Sequence, residues 1–385
     1  MPMNTSALSL PQSDLMATLE QRRERKRGEQ AALDARHGSE RVRVVSYMEN
    51  IGWPELFGYE MHQVHDAPTF AASQYLRELI FWADNVEGDT VPEPSLQADV
   101  GWYWDITLFG MRIHHTPVGV PEFEPHAMQR GLDLSTLGHF DFHTTGDMPR
   151  LIDKYERLRE IAARDYGDRL AVTFPTFNRG PLDIYVQLRG YEGFIDDCAE
   201  RPAALHDALS FLVDERLRFA HERQRYLGEP GLPPTSFVAD DWVNVPFISP
   251  TIFRDFVLPL YRRLQSEEGR VTNFHTCGNM ESVVLDLLAA FPDIDMLDVS
   301  PWNSVAALDR IVPRRVGFGA ALVNTVTLGG SEEEQRGKLS PIREAARGRK
   351  VRLVLQAIER IPDTYEETFR RLNACIGLAR GILLA

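Results

Sequence analysis

The sequence predicts an α/β fold, a (β/α)8 barrel preceded by an N-terminal helical arm. Three observations carry that prediction. From residue 169 onward, short apolar runs alternate with longer helical ones, the pattern of a parallel sheet with crossover helices. No Gly-x-Gly-x-x-Gly follows an early strand, so an open dinucleotide-binding sheet loses support. The chain has 385 residues, enough to close one large barrel. The arm is expected over residues 1–40 and the barrel over 41–385.

Taken in order, residues 15–37 are rich in helix formers and carry a basic knot, Arg22-Arg23-Glu24-Arg25-Lys26-Arg27. Interleaved glutamates favour a solvated helix face over a nucleic-acid contact there. Residues 42–48 form the first strand and 69–82 a helix ending at Ala83-Asp84-Asn85. An aromatic, loop-rich and β-containing region is expected over 100–116. Helices are then expected at 149–166, 183–198 and 202–227, with a strand at 169–174. The remaining strands are placed at 236–239, 271–274, 296–299, 316–321 and 351–356. Helices at 250–268, 280–291, 305–312, 332–347 and 363–383 follow them. Ser249-Pro250 opens the first of these as a cap and first-turn proline.

A net charge of −14 argues against a nucleic-acid footprint or an anionic membrane surface. Only Cys198, Cys277 and Cys375 occur, so no disulfide framework is expected and a reducing cytoplasm fits. No apolar run reaches membrane-span length, and no apolar leader opens the chain. A cytoplasmic location is the expectation.

A barrel should collect its chemistry at the C-terminal ends of its strands. Val271-Thr272-Asn273-Phe274-His275-Thr276-Cys277-Gly278-Asn279 reads as a strand running into a turn. Strand side chains alternate faces, so His275 and Cys277 point the same way, about 7 Å apart along the chain. An imidazole and a thiolate so placed can share a borderline-soft ion, zinc by default. The alternative is a buried cysteine beside a hydrogen-bonded histidine. Asp298, on the next strand, is the first choice for a third ligand, and Glu359, past the last strand, the second.

Asp240, Asp241 and Asp84 are the candidate catalytic acids. Phe177, Trp242 and Tyr47 are candidates to contact substrate, with Arg179 as an anion clamp. An ordinary core role for the aromatics and a surface ion pair for Arg179 are equally open. His114-His115 and the His139/His143 pair read as structural or substrate-facing. Cys198 and Cys375 sit on helices, Cys375 on an apolar face.

Phe237-Val238-Ala239-Asp240-Asp241-Trp242, Ile248-Ser249-Pro250 and His275-Thr276-Cys277-Gly278-Asn279 together resemble the uroporphyrinogen decarboxylase-like superfamily. More closely, the chain resembles the zinc-dependent branch that includes methylcobalamin:coenzyme M methyltransferases. That resemblance implies a (β/α)8 barrel with zinc held by His275 and Cys277, joined by Asp298. The branch's further cysteine, in a Ser-Pro-Gly-Cys-like segment, is absent. Gln356-Ala357-Ile358-Glu359-Arg360 stands there, with Glu359 as the substitute. The decarboxylase branch's segment Met-Arg-Gln-Ala-Gly-Arg is missing too, although Asp84 resembles that branch's catalytic aspartate.

The expected function is therefore a metal-dependent methyltransferase acting on a small molecule, with zinc as cofactor and a corrinoid as candidate methyl donor or acceptor. A decarboxylase-like lyase and a non-catalytic binding protein are the alternatives. A corrinoid protein partner and a homodimer are left open.

Overall fold

The computed structural model describes residues 3–48, 52–114, 116–117, 122–123, 128, 134–233, 235–358 and 364–385. Eight parallel strands take barrel order: β1 (Arg43–Met48), β2 (Ser95–Gln97), β3 (Ala171–Thr173), β4 (Thr235–Ala239), β5 (Arg270–His275), β6 (Met296–Val299), β7 (Gly317–Leu322) and β8 (Val351–Ile358). Six of them form one continuous ladder, β1-β8-β7-β6-β5-β4, and β2 pairs with β3. Backbone bonds join the two groups. Gly180 N–H donates to the Ala239 carbonyl at 2.6 Å, and Asp89 N–H to that of Val44 at 2.7 Å. The (β/α)8 barrel expected from the alternation is the fold.

The strand ends that carry the site alternate between faces. β5 is irregular at Thr272, but at its end Phe274 is fully buried while His275 is only partly so. Phe274 packs outward on Tyr261 and Phe291, with ring centroids at 5.7 and 6.4 Å, so the next residue, His275, faces the barrel interior. Leu297 and Val299 of β6 are likewise buried, and Asp298 between them is half-exposed.

Several expected elements shift for local reasons. The helix expected over 183–198 is two, Pro181–Arg189 and Tyr191–Glu200, broken where Gly190 takes φ of 83°. The helix after Ser249 contains a π-turn, Phe253–Val257, just before Pro259, which has no N–H to give. Residues 276–283 stay in turns, so the helix expected at 280 starts at Val284. The region 100–116 holds a buried 3-10 helix, Trp104–Phe109, and among its described residues only Ile113–His114 pairs as a strand, with Glu122–Phe123.

The arm helix Leu15–His37 lies on the helix Pro68–Asn85 and buries Leu15, Met16 and Leu19 in the same core. Its basic knot is an intramolecular clamp. Arg22 Nε reaches Asp84 Oδ1 at 2.6 Å, Arg25 reaches it at 3.2 Å, and Lys26 Nζ donates to the Val86 carbonyl at 2.6 Å. Among the described residues, no helix is long and apolar enough to cross a membrane.

Candidate metal centre at the barrel mouth

The strand β5 ends at His275, and the turn beyond it is fixed from both sides. Thr276 Oγ1 donates to the Val243 carbonyl at 3.0 Å. Ser300 Oγ and Asn303 Nδ2 donate to the Gly278 carbonyl at 2.6 and 2.9 Å. A Cβ on Gly278 would lie 1.8 Å from Asn244 Cγ, so only glycine lets the turn close against that side chain. Cys277 is thereby held out toward solvent beside His275, its Sγ 3.4 Å from Nε2.

Asp241 completes the group. Ala239 of β4 is in register with His275, and Asp240 and Asp241 follow on opposite faces. Asp241 turns inward, its Oδ1 3.6 Å from His275 Nε2 and accepting the Cys277 N–H at 2.9 Å. The ligand atoms of Asp241, His275 and Cys277 all lie within 4.8 Å of one another. A thiolate, an imidazole and a carboxylate suit zinc, and three protein donors leave a further position open.

Asp298 lies on the other side of the ring. Its Oδ2 is 3.4 Å from Nδ1 of His275, where it can fix the tautomer rather than share an ion with Cys277. Asp298, expected as third ligand, thus stands on the Nδ1 side of the ring, and Asp241 on the Nε2 side with Cys277. A Cβ on the neighbouring Gly319 would come within 2.6 Å of Asp298 Oδ1. Burial works against charging His275, but Asp298, Cys277 and the charge of Asp241 together raise it to about 10. A bound metal must therefore displace a proton from this imidazole.

The other expected site residues divide. Glu359 lies outside the described residues, as does His115. Asp240 is fully buried behind the barrel wall and accepts from Asp183 N–H at 2.8 Å, Leu182 N–H at 3.3 Å and Tyr261 Oη at 2.8 Å. Burial and the charge of Asp183 push its carboxyl well above the usual range. It anchors the start of the helix Pro181–Arg189. Asp84 is spent on the arm, its side chain 3% exposed, and is not among the residues gathered at His275.

Arg179 is not a free clamp either. It pairs with Asp105 at 3.0 Å and Asp183 at 2.5 Å and donates to the Trp102 carbonyl at 3.2 Å. Phe177 is core, edge-on to Trp104 and Phe109. Trp242 stacks on Tyr191 with centroids 5.5 Å apart, and Tyr47 is exposed on β1. His139 holds the buried Glu215 at 2.6 Å, and Cys375 is buried in the core.

A cavity of about 580 Å³ starts at Asp241 and runs under the helices that follow β1. Sequence reasoning missed it. Its distinctive acid, Glu78, sits mid-helix directly after Arg77, where no strand end marks it.

Comparison with known proteins agrees with this architecture. Residues 106–357 match the model of the family described as uroporphyrinogen decarboxylase (URO-D). A solved methyltransferase from Methanosarcina mazei superposes with a TM-score of 0.60 at 18% identity, covering 89% of this chain and 96% of that one. No curated protein sequence matches significantly.

Proposed function

The chain belongs to the uroporphyrinogen decarboxylase family, and within it we propose that it is a metal-dependent methyltransferase acting on a small molecule at the barrel mouth. The observation that carries the reading is the meeting of Asp241, His275 and Cys277 within 4.8 Å. The likeness in fold to a methyltransferase agrees with it. The donor set fits zinc, which when bound lowers the pKa of a thiol or other acidic ligand in its open position.

The chain's own residues divide the remaining work. Asp298 would accept from His275 Nδ1–H, so that the proton a metal displaces comes off Nε2 and that lone pair faces the Cys277 side. Asp241 takes the Cys277 N–H, which fixes the carboxylate and the thiol relative to each other. Cys277 is exposed, so an acceptor and a large methyl donor such as a corrinoid can approach from the mouth.

The test is to incubate zinc-loaded protein with methylcobalamin and a panel of thiols and to follow demethylation of the corrinoid. Methyl transfer that is abolished in Cys277→Ala supports the reading. Carbon dioxide released from small carboxylic acids, with no methyl transfer, favours a lyase instead.

A further inference from the structure

The cavity that begins at Asp241 is walled by aromatic rings: Trp53, Tyr59, Tyr75, Trp102 and Trp104. Its charged groups are unevenly paired. Among the described residues two cations line it, Lys154 and Arg179, against five acids, Glu78, Asp99, Asp105, Asp183 and Asp241. Both cations are already committed. Lys154 Nζ donates to the carbonyls of Val64, at 2.8 Å, and Asp99. Arg179 is shared between Asp105 and Asp183.

Glu78 is different. Its Oε1 accepts from Tyr59 Oη at 2.9 Å and Gln74 Nε2 at 3.1 Å, both neutral donors. Among the described residues no basic side chain pairs with it. An anionic solute would meet acidic walls with, among the described residues, no uncommitted Lys or Arg to hold it. An organic cation would find a carboxylate in a poorly hydrated setting and ring faces that attract positive charge.

We propose that this cavity binds a small organic ammonium ion, its charged nitrogen against Glu78 and among the surrounding rings. The proposal deepens the methyltransferase reading by naming the substrate class of the same site. Asp241 belongs to both the cavity wall and the candidate metal group, so the cavity that holds the cation opens onto the chemistry. Cation binding itself needs no metal, which keeps the two ideas separable.

The experiment uses calorimetric titration of the full chain at pH 8.5, above the value of about 7 to which burial lifts the Glu78 carboxyl, with choline, its neutral isostere 3,3-dimethylbutan-1-ol and the anion 3,3-dimethylbutanoate. Choline is expected to bind about tenfold more tightly than the alcohol. Glu78→Gln, which keeps the side chain's shape, should reduce that preference to about twofold or less. Should Glu78→Gln fail to fold, Trp102→Ala serves, because Trp102 is 47% exposed and its loss spares the core. It should weaken choline more than the alcohol. No choline binding at millimolar concentration, equal binding of choline and alcohol, tighter binding of the anion, or an unchanged preference in the variants overturns the proposal. Zinc content is measured on the same samples. Choline selectivity in a protein that takes up no zinc sinks the methyltransferase reading and leaves this one standing.

Discussion

The imidazole of His275 is held between two acids on opposite sides, with Nδ1 3.4 Å from Asp298 and Nε2 3.6 Å from Asp241. One acid can set the tautomer while the other shares an ion. Asp298→Asn should therefore keep the fold but weaken zinc binding about 10–100-fold, measured by competition with a chromogenic chelator. An unchanged dissociation constant would show that Asp298 does not orient the ring.

Asp240 is a structural acid in this account. Asp240→Ala leaves the N–H groups of Asp183 and Leu182 and the Tyr261 hydroxyl without their acceptor. The expected cost is about 2–4 kcal/mol in urea unfolding, with zinc stoichiometry retained in the folded fraction. Loss of turnover at undiminished stability would point to a catalytic role instead.

The arm clamp gives a separate expectation. Asp84→Ala removes the shared partner of Arg22 and Arg25 and should destabilise the protein by about 1–3 kcal/mol. Its zinc affinity should match that of the wild type, because Asp84 is not among the residues at His275. A selective loss of zinc would restore the catalytic expectation.

Burial lifts the Glu78 carboxyl to about 7, against hydrogen bonds from Gln74 and Tyr59 that act in the other direction. The folded protein thus holds this proton more tightly than the unfolded chain. The associated stability is complete below about 4.5 and is lost as pH rises through about 7. Glu78→Gln should flatten that loss, gaining on the order of 3 kcal/mol over wild type between pH 4.5 and 8. Thermal unfolding at both pH values checks it, and parallel pH profiles would contradict it.

The barrel and the His275–Cys277 pair were legible because strand alternation and strand–helix order are local properties of the chain. Choosing the third acid was not. Asp241 and Asp298 both leave strand positions that face the interior, and only the tilt of the imidazole decides which nitrogen meets which carboxylate. Asp240 and Asp241 are adjacent, and their opposite fates follow from which face each residue takes. Arg179 looked available because its partners Asp105 and Asp183 are 74 and 4 residues away, the first far outside any local pattern. Asp84 looked catalytic in sequence but is covered by an arm some 60 residues upstream of it, with Arg22 at a separation of 62.

Zinc content with X-ray absorption on wild type, His275→Ala, Cys277→Ala and Asp241→Ala tests the central claim most directly. Stoichiometric zinc is expected in the wild type, with one sulfur among nitrogen and oxygen scatterers. The His275 and Cys277 variants should lose it, and the Asp241 variant should bind it more weakly. Undiminished stoichiometric zinc in both His275→Ala and Cys277→Ala would contradict the account.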